Sequence, residues 1–445
     1  MKTILIHDAQ LINEGKIITT AVLIRKGRIE KIAPQISFRG AKIEINAAGQ
    51  YLMPGVIDDQ VHFREPGLTH KADIAHEARA GVVGGTTTFM EMPNTVPNAL
   101  TQKLLEDKYK IAKKTSLANY SFFMGTSNDN LEEVLKTDPK SVCGIKIFMG
   151  ASTGNMLVDN EAILEKVFSR ADMLIATHCE HEPTIRENSA NYKQIYGDHV
   201  KAMQHPEIRN TEVCLKSSTI ATNLAKKHNA RLHVLHISTA EETSLFDNTI
   251  PLAEKRITAE ACVHHLWFSS EDYERLGFLI KCNPAIKSAQ HRQGVWKALL
   301  DNRIDVIATD HAPHTWEEKQ QSYWSAPAGL PLIQFSLNMM LEHHYNGMIS
   351  LEQIVEKMCH NVAICFQIEE RGFVREGYWA DLALFDLNRT TEVNKAGLLY
   401  KCGWSPLEGT TFHSAITHTI VSGHLAWADG QLDESMQGKR LSFDR

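Results

Sequence analysis

Six polar residues stand in or just after apolar, β-branched runs: His62, His178, His236 and Asp310 toward their ends, Asn94 just after one, and Lys146 inside one. Imidazoles, an amine and a carboxylate gathered in one pocket are the groups that hold divalent cations and move protons. Lys146 has the most unusual setting, between Gly144, Ile145 and Ile147, Phe148. Desolvating an ammonium is costly, so a lysine buried there drifts toward the neutral amine. A neutral amine can add CO2, and the resulting carbamate offers two oxygens that can bridge two metal ions. Each residue also has a plain structural role available. The chain has 22 His, so any single one is more often a surface or core residue than a ligand. Lys146 could pack its stem and pair its amine with a carboxylate, and Asp310 could serve only a salt bridge. The joint pattern, with an acid and two histidines in the stretch TDHAPH, favours chemistry.

One stretch breaks the pattern. In DDQVHFREPG, residues 58–67, positions 60, 62 and 64 share a face if the chain is extended. A His-x-His pair would make half a metal site there, but position 60 is Gln. An amide oxygen is a harder and weaker donor for zinc than an imidazole nitrogen.

Eight apolar runs must position these groups: 56–63, 86–93, 118–125, 142–150, 173–180, 231–238, 257–268 and 305–314. Most are separated by stretches of helical period, such as LTQKLLEDKYKIAKK and TEVCLKSSTIATNLAKKH. Strand then helix, eight times, predicts an α/β fold with a (β/α)8 barrel, whose strand ends deliver side chains to one pocket. The longer gaps 181–212 and 314–331 read as functional loops. Short strands at both ends, TILIHDAQLI and AVLIRKGRIEKIA at the start and ADLALFDLN and THTIVSGHLAWADGQ at the finish, predict one small β-domain built from both termini. The expected division is a β-sandwich of 1–51 with 367–445 around a barrel of 52–366.

Composition narrows the function. The 445 residues are 43% hydrophobic, enough for a large core. A net charge of -6 argues against a general nucleic-acid or membrane binder, and leaves an anionic substrate to be captured by local positive charge. No run is long enough to cross a membrane, and the N-terminus lacks the apolar core of a signal peptide. The eight cysteines form no CxxC pair and read as reduced, which together suggest a cytoplasmic protein.

The motifs PGVIDDQVHFREPG, MPNTVPN, GIKIFMGAS, THCE, LHIS, CNPAIK and ATDHAPHTWEEK resemble those of the dihydroorotases of the amidohydrolase superfamily, over essentially the whole chain. That resemblance implies two metal ions per subunit, usually Zn2+. One would be held by His62 and Asp310, the other by His178 and His236, with carboxylated Lys146 and a hydroxide bridging them. Asp310 would also be the catalytic acid and base. Gln60 falls where the family's first His ligand stands and would be a weak or absent ligand. Arg64, Asn94, Asn283 and His314, with the backbone of Ala328 and Gly329, would bind the substrate. The implied reaction is the reversible closure of carbamoyl aspartate to dihydroorotate in pyrimidine biosynthesis. A homodimer is the family's expectation. Hydantoinases, dihydropyrimidinases and allantoinases share the barrel but have no need of a carboxylate clamp. A catalytically silent assembly partner is the remaining reading, and Gln60 alone points to it.

Overall fold

The structure is a computed structural model that describes residues 2–150 and 154–445. Eight parallel strands form the barrel: Val56–Val61, Thr86–Glu91, Asn119–Phe122 continued by Met124–Gly125, Ile145–Phe148, Ile175–His178, Leu232–Val234, Ile257–Cys262 and Val306–Ala308. Each pairs with its successor in sequence. A parallel bridge from His311 to Val61 closes the ring. Strands covered on both faces read as near-continuous apolar runs, which is why these eight were legible.

Side-chain caps start the main outer helices. Asp73 accepts from the His76 N–H ahead of Ile74–Val83, Thr101 caps Gln102–Thr115, Asn160 caps Glu161–Arg170 and Asn210 caps Thr211–His228. Each supplies an acceptor to a first-turn N–H that no helical carbonyl can reach.

Three expectations change in detail. The run 257–268 is strand only to Cys262, because Val263–Trp267 turns into a short helix at the barrel rim. The gap 181–212 is largely helical, with Glu182–Tyr196 begun by a proline in its first turn and a further turn at His205–Ile208. Between Val234 and Ile257 the connection contains two 3-10 turns where a full helix was expected.

Thr391–Glu392 pairs apart with Thr411–Phe412, and nine strands from the two chain ends form one sheet. Its central junction is the antiparallel pairing of Tyr51–Pro54 with Leu382–Asp386, which ties one end of the chain to the other. The sheet closes over a single apolar core that includes Ile6, Val22, Leu52, Leu382 and Ile420. Gly423 packs so tightly on Gly27 that a Cβ would lie 2.3 Å from the Gly27 Cα, so the turns at opposite edges meet. Gly55, where sheet hands over to barrel, lies against Thr87, whose Cγ2 would sit 2.1 Å from an added Cβ. That close approach fixes the first barrel strand beside the second.

Candidate active site

All twelve site residues expected from the sequence line one cavity of about 600 Å³ at the C-terminal ends of the barrel strands. A larger cavity, about 860 Å³, lies on the barrel's outer face between Ala289–Leu300 and Ser336–Tyr345. Its walls, among them Trp267, Trp296 and His343, hold none of the residues singled out from the sequence, so size is a poor guide here.

Three of these side chains stand on left-handed backbone: Arg64 with φ 67°, His236 with φ 42° and Asp310 with φ 47°. Such a conformation costs a non-glycine residue roughly 1–3 kcal/mol and persists only where surrounding contacts enforce it. At His236 the enforcing contact is visible, since its N–H donates to Glu260 Oε1 at 3.0 Å. All three strand ends bend so that their side chains turn inward.

The pocket has two halves. In one, His178 Nε2–H donates to Glu180 Oε2 at 2.9 Å, which leaves Nδ1 bare and 3.0 Å from His236 Nε2. Two imidazole nitrogens at that separation form the edge of a coordination polyhedron. Burial lowers the pKa of both rings and keeps them neutral, the form that ligates. Glu180 is in turn paired with Arg209. Burial raises the Glu180 carboxyl, but the Arg209 charge and the His178 contact outweigh it and hold it down to about 2. The sequence hinted at Glu180, which follows His178 by two in THCE. Arg209, 29 residues beyond Glu180, gave no signal.

In the other half, His62 Nδ1–H donates to Asn94 Oδ1 at 2.8 Å, and its Nε2 faces Asp310 Oδ1 at 3.1 Å. Gln60 Nε2 reaches the same oxygen at 3.2 Å. Burial raises the Asp310 carboxyl, but the neighbouring His62, with His264 and Lys146 nearby, outweighs it, so it lies below its usual range.

Lys146 sits between the halves, 1% exposed, with Nζ 4.6 Å from the Phe148 ring centroid. No carboxylate among the described residues lies within ion-pair distance of it. Burial lowers its amine to about 7 despite the pull of Asp310 and Glu260. Near neutral pH a large share is therefore free base, the form that adds CO2. The donors present thus fit two cations, with the one departure at Gln60.

At the mouth, Arg64 Nε donates to Pro313 O at 3.1 Å and Nη2 lies 3.0 Å from His314 Nε2. Its Nη1 has no protein partner among the described residues. His314 Nε2 also lies 2.9 Å from Ala328 O, and Lys71 Nζ lies 3.1 Å from His314 Nδ1. Burial, with the Arg64 charge beside it, holds the His314 ring well below its ordinary pKa. Asn283 keeps a buried Oδ1 that meets no protein donor. A Cβ on Gly329, φ 140°, would lie 2.3 Å from Ala312 O, so backbone alone fits there. Lys71 is paired with Glu318 Oε1 at 2.9 Å, so Arg64 carries the local positive charge at the mouth of an acidic chain.

Two further buried groups hold donor atoms within 4.8 Å of one another: His264, His265 and Cys282, and Asp59, His233 and Glu260. The second draws on three barrel strands, Val56–Val61, Leu232–Val234 and Ile257–Cys262, and its Glu260 is the brace of His236. Sequence reasoning missed both groups, because alternation along a strand does not say which polar residue points inward.

Residues 51–426 match the model of the amidohydrolase family. The dihydroorotase of Pyrococcus abyssi is 31% identical over 98% of this chain and 98% of that protein. The dihydroorotase of Methanothermobacter thermautotrophicus is 30% identical over 95% of this chain and 91% of that protein. Among solved structures, the L-hydantoinase (dihydropyrimidinase) of Arthrobacter aurescens superposes with a TM-score of 0.91 at 26% identity, covering 97% of this chain and 98% of that one. On the family match across most of its length, and on relatives of about 30% identity end to end, this chain belongs to the amidohydrolase family.

Proposed function

We propose that the chain is a dihydroorotase, interconverting dihydroorotate and carbamoyl aspartate, and that it acts in the cytoplasm within pyrimidine synthesis. The observation that carries this reading is the unpaired edge of Arg64 inside the cavity, in a chain whose sequence relatives bear that name. Dihydroorotate is a six-membered cyclic imide with a carboxylate, and a planar guanidinium is the side chain suited to grip one. Asn94 and Asn283 would present amides to the same ligand, and His314 with Ala328 and Gly329 would set the ring's height in the pocket.

For the metal we propose two zinc ions, one held by His178, His236 and carboxylated Lys146, the other by His62, Asp310 and the same carbamate. When bound, such a pair supplies a water of lowered pKa and polarises the scissile carbonyl. The chain's own part is to align and to move a proton. Arg64 anchors the carboxylate so that the ring carbonyl faces the cation positions. Asp310, ionised at neutral pH, takes the proton lost by the attacking water and returns it to the leaving ring nitrogen as the C–N bond breaks. Ring closure runs the same transfers backwards. Barrel and terminal sheet would meet near residues 51–52 and 366–367, and a homodimer is the proposed assembly.

The hydantoinase reading draws on the solved structure's likeness, but a hydantoin ring offers no carboxylate to Arg64. Arg64→Ala should cut kcat/KM for dihydroorotate by roughly 10- to 100-fold, the worth of a charge-assisted hydrogen bond, with bound metal unchanged. Near-normal turnover in that variant, or a wild type that prefers hydantoin or dihydrouracil, would sink the assignment.

A further inference from the structure

Gln60 is the one residue that sets the first cation position apart, and its neighbours decide what it does. Its side chain is 2% exposed. One end, Nε2, lies 3.2 Å from Asp310 Oδ1; the other, Oε1, lies 3.8 Å from Cys262 Sγ. The thiol has a single proton, and Glu260 Oε1, 3.2 Å away against 3.8 Å for Gln60 Oε1, is the better acceptor for it. The side of the sulfur turned to Gln60 therefore presents lone pairs, which an amide N–H can use and an amide oxygen cannot. At the opposite end, the proton on His62 Nδ1 is committed to Asn94, so bare His62 Nε2 and Asp310 Oδ1 face each other across 3.1 Å. Two acceptors so placed call for a cation between them. While that position is metal-free, Gln60 Nε2 supplies Asp310 with a donor. A half-turn about the last side-chain bond exchanges the amide's two ends in the same space. In that orientation an N–H would face the Cys262 sulfur, and Oε1 would stand beside Asp310 Oδ1, the oxygen that His62 Nε2 also faces.

We propose that Gln60 ligates the first cation through its carbonyl oxygen, and that this donor shifts the first position toward a harder divalent ion, of the Mn2+ type, than the second. The inference rests on the two-cation reading above. The first position would then see oxygens from Gln60, Asp310 and carboxylated Lys146 with one imidazole, His62. The second sees two imidazoles, His178 and His236, and one carbamate oxygen. Carbonyl and carboxylate oxygens suit Mn2+ and Mg2+, whereas imidazole suits zinc. Zinc outranks Mn2+ in affinity for most donor sets, so the expected effect is a shifted ratio rather than a reversed order.

The test needs no substrate. Metal-stripped wild type, Gln60→His and Gln60→Leu are reloaded with one equivalent of zinc and bicarbonate. Each is then titrated with Mn2+ against zinc, reading bound metal by elemental analysis and Mn2+ by electron paramagnetic resonance. The ratio of Mn2+ to zinc affinity at the first position should be at least tenfold higher in wild type than in Gln60→His. Gln60→Leu, similar in size but without a donor, should hold its one zinc, which also reports a folded barrel, and lose Mn2+ affinity tenfold or more. Equal ratios in wild type and Gln60→His, or unchanged Mn2+ binding in Gln60→Leu, would overturn the proposal. Failure of the dihydroorotase reading shows only in the turnover assay, so the two can fail separately.

Discussion

The two halves of the pocket are built from different materials. Around His178 and His236 the outer contacts are charged: Glu180 holds the His178 ring, Arg209 holds Glu180, and Glu260 holds the His236 backbone. Around His62 they are neutral amides, Asn94 behind the ring and Gln60 beside Asp310. A ring held by a carboxylate is fixed in tautomer and made more basic, while an amide fixes it with less energy. The charged half is thus set before a cation arrives, and the amide half keeps two arrangements in reach. Under the two-cation reading, the second position should fill first and empty last.

Lys146 is where the comparison can fail most visibly, because it belongs to neither half. Lys146→Ala should remove both cations together and lower turnover by at least about a thousandfold, the loss expected when a unit of interdependent groups is broken. Short carboxylic acids added to the medium should restore part of both. Metal content by elemental analysis beside the turnover assay checks this. A Lys146→Ala protein that kept one full equivalent of metal would show the halves to be independent.

How much of this was legible in the sequence follows from the same physics. The barrel strands announced themselves because burial on both faces leaves apolar, β-branched runs, and the side chains that enter the cavity stand in or just beyond those runs. The fold over 257–268 was only half legible, since nothing in ITAEACVHHLWF marks where extended chain becomes a turn of helix. The ligand-type residues could be named from their places at strand ends. Their supports could not: Arg209 and Cys262 act through contacts to residues 29 and 202 positions away, which no local pattern encodes. The left-handed backbone at Arg64, His236 and Asp310 was equally silent, because even Asp and His, which adopt it more readily than Arg, do so at only a small share of positions.

The next prediction is aimed at the charged half alone. Glu180→Gln keeps an acceptor for the His178 ring but removes the charge, and leaves Arg209 without its carboxylate in a largely buried place. Affinity at the second position should fall toward the upper end of the 10- to 100-fold range typical of such outer contacts. The first position should change less than threefold. Competition with a chromophoric chelator, which resolves two successive releases, separates these outcomes, and equal weakening of both would end the distinction between halves.

The smallest effect is expected at Asn94, and it is the most exacting for the comparison. Asn94 Oδ1 accepts the proton on His62 Nδ1, and that single hydrogen bond keeps Nε2 bare toward Asp310. Asn94→Leu removes the acceptor at similar volume. The ring then loses the bond that selected its tautomer, and a neutral imidazole with Nε2 protonated can donate to Asp310 instead. That competing state must be undone before a cation binds, so affinity at the first position should drop about tenfold, the lower end for outer contacts because the lost partner is neutral. The second position, fixed by Glu180 on the opposite wall, should keep its affinity. Ring-nitrogen chemical shifts of His62 in 15N-labelled, metal-free protein read the tautomer directly. They should show Nδ1 protonated in wild type and a mixture in the variant. If Asn94→Leu left the tautomer unchanged, or weakened both positions alike, the neutral wall would not be what sets the first half apart.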